Sequence, residues 1–447
     1  MELEQATREE LLELIRQQQK TIAQLEAVIA KLEARIAELE KQLGRSGGKG
    51  MPGLKPKAKE ASPPPKGARK PREQGAGRER GTPTMMVEHA VDRCEQCDIA
   101  LVGGSVKRTR EVIELAPSPV QVIEHRYIER RCPLCGKRWV PQAELEEQVL
   151  GHQRFGIELL SLIATLREEG RLPVETIQWY LRTVHQLEIS VGAIVAACQT
   201  VAQHGQAVLE EIRAKVRGSP VLNADETGWR ENGHNGYVWT FSTPTERYFI
   251  RGSRRKEMID EVLGEEFRGV LVSDFYAAYD HYDGFKQRCW AHLLMDIHDL
   301  VKASPGDASV EKWAEDLHAL FLRARAFSHP DQEERRRARW GFEREALAIC
   351  APYRNDPAAP QRTLSARVYR YIKELFVFVS EPDVPADNNA AERSLRHLVT
   401  SRKISGGTRS PLGTATKMAL SSLFGTWRAR GIDPLVACRL LLQSPQV

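Results

Sequence analysis

Residues 220–229 read Pro-Val-Leu-Asn-Ala-Asp-Glu-Thr-Gly-Trp, an apolar run that leads into acidic side chains. The run is short and lies between Gly218 and Gly228, so it predicts a buried strand that presents the carboxylate of Asp225 at its far end. Residues 269–275, Gly-Val-Leu-Val-Ser-Asp-Phe, repeat this design and carry Asp274. The two stretches therefore predict two carboxylates, each at the end of a strand.

A third acidic residue, Glu392, follows Ala-Asp-Asn-Asn-Ala-Ala (residues 386–391) in a stretch that predicts the start of a helix. Two strand-end aspartates and a helical glutamate offer oxygen ligands to two hard divalent cations. Such a pair of cations can stabilise both the attacking and the leaving oxygen of a phosphodiester. The three acidic residues together predict phosphoryl transfer on DNA.

Each of these acidic residues also has a simpler structural interpretation. Asp225 could be a turn residue, and Glu226 competes with it for the catalytic role from the opposite face of the strand. Glu392 could form a capping box with Asn389 and a helix ion pair with Arg396. The joint placement of three acids at strand, strand and helix favours the catalytic interpretation. The other acids of this region are expected to be ordinary surface residues: Asp260, Asp280, Asp283 and Asp296.

The chain has 447 residues, enough for two or three domains, and a net charge of only +5. Basic side chains therefore matter through their location rather than through their sum. No apolar run is long enough to span a membrane, and the charged amino terminus does not resemble a signal peptide. We therefore expect a cytoplasmic protein without a membrane partner.

The amino-terminal residues 1–43 follow a heptad pattern. Isoleucines recur seven residues apart from Ile15 to Ile36, and leucines three residues further on occupy the second apolar position, with Gln18 interrupting them. Isoleucine at a and leucine at d favour a parallel two-stranded coiled coil, so this segment predicts dimerisation. An amphipathic helix docked on its own chain is the alternative. Residues 44–86 are rich in Gly, Pro, Lys and Arg and predict a basic, flexible linker.

Residues 87–150 contain two Cys-x-x-Cys pairs, which in a cytoplasmic chain indicate a structural Zn²⁺ rather than disulfides. With strands expected over 111–115 and 121–130, the pattern predicts a zinc-ribbon-like, DNA-binding domain. A purely structural ribbon with solvated charges is the alternative. The predicted zinc ligands are Cys94, Cys97, Cys132 and Cys135, and the predicted phosphate-binding residues are Arg126, Arg130 and Arg131. Cys198, Cys350 and Cys438 are expected to be buried apolar thiols.

Residues 151–218 predict a helical domain. The expected helices cover 155–168, 174–187 and a third segment from a cap at Ser190 to Val216. The short turn between the last two resembles a DNA-binding helix-turn-helix, although any helical hairpin has this pattern.

Residues 219–295 predict the first part of a catalytic domain. The expected order is three strands (221–224, 237–242 and 248–250), a helix over 256–263, a strand over 270–273, a short helix around Ala277 and a strand over 285–290. This is the order of a ribonuclease-H-like sheet. Residues 296–385 predict a helical insertion, in which Trp313, Leu317, Leu320 and Phe321 are expected on one face of a helix. Residues 386–447 then complete the catalytic domain with the Glu392 helix and helices over 416–428 and 434–442.

The predicted fold class is therefore a multidomain α/β protein. It comprises an N-terminal coiled-coil helix, a zinc-ribbon-like domain, a helical linker domain and a ribonuclease-H-like catalytic core with a helical insertion.

With these motifs in view, the chain resembles the DDE transposases, and specifically the insertion sequence 66 (IS66) family. The resemblance covers nearly the whole chain, and four motifs carry it: Ala224-Asp225-Glu226-Thr227, Ser273-Asp274, Cys289-Trp290-Ala291-His292 and Asp387-Asn388-Asn389-Ala390-Ala391-Glu392-Arg393. It implies that Asp225, Asp274 and Glu392 form the catalytic triad. Cys289 and His292 match a Cys-x-x-His signature that follows the second aspartate in several DDE families.

The function implied by this resemblance is DNA transposition of a mobile insertion sequence. Hydrolysis at the element ends would be followed by strand transfer into target DNA, with Mg²⁺ (or Mn²⁺) held by the triad and His292 near the scissile phosphate. The implied partners are element-end and target DNA, a second copy of the chain in a homodimer or larger oligomer, and accessory proteins of the element. The basic residues after Glu392 are expected to bind phosphates: Arg393, Arg396, Arg402, Lys403 and Arg409.

Two other functions compete with this one. A non-catalytic zinc-binding regulator would use the same core only to hold DNA, but the intact set of three acids argues against it. A ribonuclease-H-like nuclease would cut DNA without joining it. The coiled coil and the zinc module favour pairing of two DNA ends over cutting alone.

Overall fold

The computed structural model describes residues 85–444, apart from 91, 104, 107–117, 119, 142–144, 146–147 and 152. The chain divides into two units, Met1–Ile113 and Glu114–Val447. The predicted coiled coil over 1–43, the predicted linker up to residue 84 and the predicted strand over 111–115 lie outside the described residues. The helices and strands named below all belong to the second unit.

The segment that carries the second cysteine pair is less regular than predicted. Strands β1 (Arg130–Arg131) and β2 (Arg138–Trp139) pair antiparallel. Residues 121–129 form no strand, so the prediction of a strand over 121–130 is wrong except at its last residue. The apolar side chains of this run, including Val122 and Ile123, are exposed. A high β-propensity produces a strand only where the side chains pack on a partner surface.

Residues 153–218 form four helices rather than the predicted three: α1 (Ile157–Glu168), α2 (Val174–His185), α3 (Val191–His204) and α4 (Gln206–Arg217). The predicted helix from Ser190 to Val216 is interrupted at Gly205. A Cβ at this position would lie 2.5 Å from Cδ1 of Leu423, so a close approach to a later helix requires glycine here. Ser190 caps α3 as predicted, because its hydroxyl accepts the N–H of Ala193 at 3.1 Å.

Five strands form the larger sheet: β3 (Val221–Glu231), β4 (His234–Ser242), β5 (Arg247–Gly252), β6 (Val270–Ser273) and β7 (Lys286–Arg288). Their order is β5-β4-β3-β6-β7. The first three strands are antiparallel to one another, whereas β6 and β7 run parallel to β3. The predicted mixed α/β character is confirmed, and helices are in the majority among the described elements.

The boundaries of two strands differ from the prediction. β3 continues through Glu231, beyond the expected end at Ala224, because it pairs with β4 along this whole length. Asp225 therefore lies inside a strand rather than at its end. β7 ends at Arg288, and Trp290 is the first residue of a helix instead of the last residue of a strand.

Each face of the sheet packs on a different set of helices. Leu222, Ala224 and Trp239 contribute to a core with α5 (Glu257–Leu263) and the 3₁₀ helix Ala277–His281. Trp229 and Val238 face the opposite way and pack with residues of two carboxy-terminal helices. These are α11 (Asn389–Ser405) and α12 (Pro411–Ala429). Because side chains alternate along a strand, Asp225 shares a face with Trp229, and Glu226 shares the other with Leu222 and Ala224.

The predicted helical insertion contains α6 (Trp290–Ala303), α7 (Ala308–Ala326), α8 (Gln332–Cys350), α9 (Arg362–Leu375) and α10 (Val377–Ser380). The residues expected on one face of α7 are all buried in its core: Trp313, Leu317, Leu320 and Phe321. The chain then forms α11, α12 and α13 (Pro434–Gln443), and α12 begins earlier than predicted, after an N-cap at Ser410. Cys198, Cys350 and Cys438 are buried, as expected.

A buried ion pair joins the amino-terminal helices to the carboxy-terminal ones. The ammonium of Lys417 on α12 donates to both carboxylate oxygens of Glu168 on α1, at 2.8 and 2.9 Å. The Ser421 hydroxyl donates to Oε2 of Glu168 at 3.0 Å. His397 of α11 makes a hydrogen bond to the Glu168 carbonyl. Glu168 therefore ties three helices together through one side chain and one backbone group.

We expect His397 to make the stability of this unit dependent on pH. Burial, and then the charge of Arg428, lower the pKa of His397 to about 4. Between pH 4 and 6.5 the unfolded chain therefore binds a proton that the folded chain does not, so stability is full above about pH 6.5 and falls as the pH approaches 4. The loss for this one group is about 3 kcal/mol.

Urea unfolding of the full chain at pH 7.0 and 4.5 measures this effect. His397→Gln should show a smaller difference in unfolding free energy between the two pH values than the wild type. His318→Gln, at an exposed position of α7, is the matched control and should keep the wild-type difference. Equal pH dependence in wild type and His397→Gln would contradict the assignment.

Candidate active site

Asp225 and Asp274 lie on neighbouring parallel strands. The register pairs Asn223 of β3 with Val272 of β6, and each aspartate lies two residues beyond its member of that pair. Asp274 directly follows β6, and its Oδ1 accepts the N–H of Tyr276 at 2.8 Å. The Oδ1 of Asp225 accepts the N–H of Glu226 at 2.9 Å. The sheet therefore brings the two predicted aspartates together.

Glu392 lies in the first turn of α11, on the side of the sheet that Asp225 faces. Asp225 and Glu392 line one open cavity of about 420 Å³, together with Glu226, Arg396 and Lys403. The structural alternatives for Glu392 are not formed. Asn388 rather than Asn389 is the N-cap residue, and it caps without its side chain. Among the described residues, no ion pair joins Glu392 to Arg396.

The carboxylates repel one another in the absence of a cation. Burial, followed by the negative charges of Glu226 and Asp274, raises the pKa of Asp225 to about 8, and Glu392 adds to the effect. Burial and the charge of Asp274 also raise the pKa of Glu226. A cluster of buried acids with raised pKa values is typical of a site that binds cations.

Glu226 differs from Asp225 because its carboxylate already has protein partners. Arg254 donates to its Oε1 from Nε at 3.1 Å and from Nη2 at 2.9 Å, and the Tyr279 hydroxyl donates to its Oε2 at 2.9 Å. The Glu226 side chain is 4% exposed. Glu226 is therefore held by side-chain donors, whereas the Asp225 carboxylate accepts a backbone N–H. Both acids line the cavity, and the charge of Glu226 contributes to the raised pKa of Asp225.

Asn388 is a site residue that the sequence patterns did not single out. It is fully buried, and its Nδ2 donates to the carbonyl of Ala224 at 2.7 Å while its Oδ1 accepts from Nδ2 of Asn223 at 2.9 Å. Its backbone N–H donates to Sγ of Cys289 at 3.1 Å. One side chain thus joins the strand of Asp225 to the start of the Glu392 helix. Only a contact across 164 residues of sequence reveals this role.

We expect Asn388→Asp to reduce catalysis by about 10–100-fold, the usual cost of losing a partner that orients a metal-binding residue. The substitution keeps the size of the side chain but turns its donor towards Ala224 into an acceptor, so two oxygens repel where Asp225 is held. Rates should be measured over a range of Mg²⁺ concentrations. A higher Mg²⁺ requirement is the sign of a positioning role, which a general loss of folded protein would not produce.

Asn235→Asp, the same change at an exposed position of β4, is the control for Asn388→Asp and should behave as the wild type. An unchanged Mg²⁺ requirement in Asn388→Asp would show that this contact does not position the triad.

Arg288 is a second residue that sequence patterns missed. Its side chain is fully buried, and Nη1 donates to the carbonyl of Asp274 at 2.7 Å while Nε donates to Glu374 of α9 at 2.7 Å. Its remaining nitrogen pairs with Asp280, which also accepts from Arg370 at 2.7 Å. The prediction of Asp280 as an ordinary surface acid is therefore wrong. The network connects the backbone of Asp274 to the helical insertion.

Cys289 and His292 lie beside Glu392. Cys289 is the buried N-cap residue of α6, and burial raises the pKa of its thiol to about 11. Nδ1 of His292 lies 3.8 Å from Oε1 of Glu392. The pair therefore packs next to an acid of the predicted triad, where Cys289 accepts the N–H of Asn388.

The predicted phosphate-binding residues occupy different environments. Arg396 and Lys403 line the cavity next to the acids, whereas Arg393 and Arg409 are exposed outside its lining. Arg402 is held by the sheet, since its guanidinium donates to Thr227 and to the carbonyl of Gly228. The guanidinium of Arg402 is therefore already bound to β3, and this contact stabilises the strand. In the cysteine-containing segment, Arg126, Arg130 and Arg131 are all exposed.

Each Cys-x-x-Cys pair closes a tight loop. In the first, Cys94 accepts the N–H of Asp98 on its carbonyl at 2.9 Å, and in the second the carbonyl of Cys132 accepts the N–H of Gly136 at 2.9 Å. Backbone N–H groups within each loop lower the pKa of Cys94 and of Cys132. Such loops favour the thiolate form, which is the form that binds metal.

Comparisons with known proteins agree with the motifs. The profile described as "Transposase IS66 family" matches residues 152–416, a range that contains Asp225, Asp274 and Glu392. The uncharacterized protein y4jD of Sinorhizobium fredii (strain NBRC 101917 / NGR234) is 22% identical over 394 residues, which cover 78% of this chain and 74% of that protein. The uncharacterized protein y4jO of the same organism is 41% identical over 70 residues, or 16% of this chain and 22% of that protein. None of the described helices is both long and apolar enough to cross a membrane.

Proposed function

The chain belongs to the IS66 family of transposases, and we propose that it joins DNA by metal-dependent phosphoryl transfer at Asp225, Asp274 and Glu392. Membership of this family implies that the chain acts on DNA in transposition. The assignment of phosphoryl transfer to Asp225, Asp274 and Glu392 goes further, and it rests on the geometry of the sheet and of α11.

A single observation carries the proposal. Asp225 and Asp274 each lie two residues beyond a paired position on adjacent parallel strands, and Glu392 lines the same cavity as Asp225. The strand order, with three antiparallel strands followed by two parallel ones, is the order expected of a ribonuclease-H-like sheet. This arrangement supports a DDE-type site because Asp225 is close to both other acids: Asp274 follows the neighbouring parallel strand and raises the pKa of Asp225, and Glu392 shares its cavity.

The acids suit hard divalent cations. Burial, followed by the negative charges of Glu226 and Asp274, raises the pKa of Asp225 to about 8, and a bound divalent cation would favour the ionised form of this acid. Carboxylate oxygens are the ligands that Mg²⁺ prefers, and Mn²⁺ accepts the same donors. Asp225, Asp274 and Glu392 would hold two such ions, which would stabilise the charge of an in-line displacement and acidify the attacking water.

The basic residues on the cavity wall would position the DNA. Arg396 and Lys403 follow Glu392 by one and by three turns of α11, so their charges face the same space. Each can contact a phosphate next to the scissile bond. Water would attack the phosphodiester at the element end and release a 3′ hydroxyl. That hydroxyl would then attack a target phosphodiester, forming one bond to phosphorus as another breaks.

The remaining segments have roles that fit this chemistry. We propose dimerisation through residues 1–43, a basic linker over 44–86, zinc-dependent DNA binding by 87–150 and helical DNA contacts by 151–218. The catalytic domain would then comprise 219–295 and 386–447, with the insertion at 296–385. The two cysteine loops support structural Zn²⁺, because each offers a lowered thiol pKa to a metal.

A strand-transfer assay with the full chain tests the proposed function. Labelled DNA that carries the ends of the element is incubated with a target plasmid and Mg²⁺ or Mn²⁺. Joined products would support the proposal. Cleavage without joining would favour a nuclease, and binding of the ends without cleavage would favour a non-catalytic regulator.

A further inference from the structure

Three side chains of different chemistry converge at the edge of the proposed catalytic site. The ligand atoms of Cys289, His292 and Glu392 all lie within 4.8 Å of one another. Cys289 and His292 are one helical turn apart at the start of α6, and Glu392 reaches them from the start of α11. The proposed DNA chemistry uses Glu392, and His292 is expected near the scissile phosphate, whereas Cys289 has no assigned task.

The groups around this cluster are ones that a bound metal ion would engage. Sγ of Cys289 accepts the backbone N–H of Asn388 at 3.1 Å, and the N–H groups of His292 and Ala291 also point towards it. Such donors offset part of the burial that raises the pKa of this thiol to about 11. Nδ1 of His292 is buried and has no hydrogen-bond partner among the described residues. A buried nitrogen without a partner is costly, and a metal ion would satisfy it.

The separations between these ligand atoms are close to those of a tetrahedral zinc site, although wider. Zn²⁺ lies about 2.3 Å from a thiolate and about 2.0 Å from an imidazole or carboxylate, which places neighbouring ligand atoms about 3.3–3.6 Å apart. Nδ1 of His292 is 3.8 Å from Oε1 of Glu392, so a small side-chain rotation closes the difference. The side chains of His292 and Glu392 are 32% and 35% exposed, so an ion can reach the buried thiol from their side.

We propose that Cys289, His292 and Glu392 form a binding site for a thiophilic divalent cation of the Zn²⁺ type. A thiolate and an imidazole select Zn²⁺ over Mg²⁺, because Mg²⁺ takes oxygen ligands. Three protein ligands leave a fourth position open to water or a phosphate oxygen. The site differs from the two Cys-x-x-Cys loops, whose predicted metal ligands are all cysteines.

A consequence follows that rests on the proposed function. Glu392 cannot serve this cation and the magnesium pair with the same oxygen, so binding of Zn²⁺ would withdraw one acid from the catalytic triad. Micromolar Zn²⁺ would then inhibit strand transfer that is supported by Mg²⁺. The inhibition would weaken as Mg²⁺ increases, because both cations compete for Glu392.

Binding is tested with Co²⁺, which replaces Zn²⁺ and gives a near-ultraviolet charge-transfer absorption when a thiolate binds it. The full chain is titrated as wild type, Cys289→Ser and His292→Ala. We expect the wild type to bind one equivalent of Co²⁺ more than Cys289→Ser, with a matching loss of thiolate absorption. His292→Ala should lower the affinity of that equivalent at least tenfold. Cys350→Ser removes another buried thiol, one that lies near Ser365 and Trp313, and should match the wild type.

Equal Co²⁺ stoichiometry and absorption in wild type, Cys289→Ser and His292→Ala would overturn the proposed site. This readout needs no DNA, so it stands even if the chain fails to join DNA. Circular dichroism of each variant identifies a loss of fold. His292→Ala changes a partly exposed side chain, so it keeps the test decisive if Cys289→Ser does not fold.

In the transfer assay, Cys289→Ser should need at least tenfold more Zn²⁺ than the wild type for half-inhibition, each compared with its own zinc-free rate. Identical half-inhibition would show that Zn²⁺ acts elsewhere.

Discussion

Asp274→Asn should reduce strand transfer by about a thousandfold or more while leaving binding of element-end DNA nearly unchanged. The substitution keeps the size of the side chain and removes the negative charge, so the site loses a ligand for the divalent cations. Metal stabilisation of a phosphoryl-transfer transition state is worth several kcal/mol, and each 1.36 kcal/mol corresponds to a factor of ten in rate. Its Oδ1 can still accept the N–H of Tyr276, so the local fold is preserved.

Asp283→Asn is the matched control for this change. Asp283 follows β6 in the same segment and is exposed in the loop before β7, so its variant should transfer strands at the wild-type rate. Transfer and end binding are measured on the same labelled DNA, the first by joined products and the second by electrophoretic mobility. Transfer by Asp274→Asn within tenfold of the wild type would refute the assignment of this acid.

Lys417→Met should lower the free energy of unfolding by about 3–5 kcal/mol. Lys417 is 4% exposed and Glu168 is fully buried, so removal of the ammonium leaves an uncompensated buried carboxylate. The only other side-chain donor to that carboxylate among the described residues is the hydroxyl of Ser421. The effect is measured by urea unfolding of the full chain at pH 7, followed by circular dichroism.

A double variant separates the charge from the packing. Glu168→Gln combined with Lys417→Met removes both charges, so most of the lost stability should return, since a buried ion pair contributes little over neutral side chains of similar size. Lys312→Met is the surface control. Lys312 pairs with Asp316 on an exposed face of α7, and its loss should cost no more than about 1 kcal/mol. A double variant as unstable as Lys417→Met would mean that packing, rather than charge, dominates.

Local patterns predicted much of the sheet and of the helical insertion. The apolar runs before Asp225 and Asp274 became β3 and β6, and the residues expected on one face of α7 are buried. These predictions succeed because alternation and helical spacing report directly on which side chains are buried. The boundaries that were predicted wrongly depend on contacts with other elements. β3 extends because β4 pairs with it, and the helix after Ser190 ends at Gly205, where Leu423 packs closely.

The sequence by itself determined which chemical groups are available: three acids after apolar runs, a Cys-x-x-His motif, two Cys-x-x-Cys pairs and a heptad segment. Only the tertiary structure decided how those groups are used. It turned Asp225 towards Glu392, engaged Glu226 with Arg254, and placed Asn388 and Arg288 behind the acids. These decisions depend on contacts between residues far apart in the chain. Spacing along the sequence carries no information about them, because a side chain's partner is set by how the strands and helices pack.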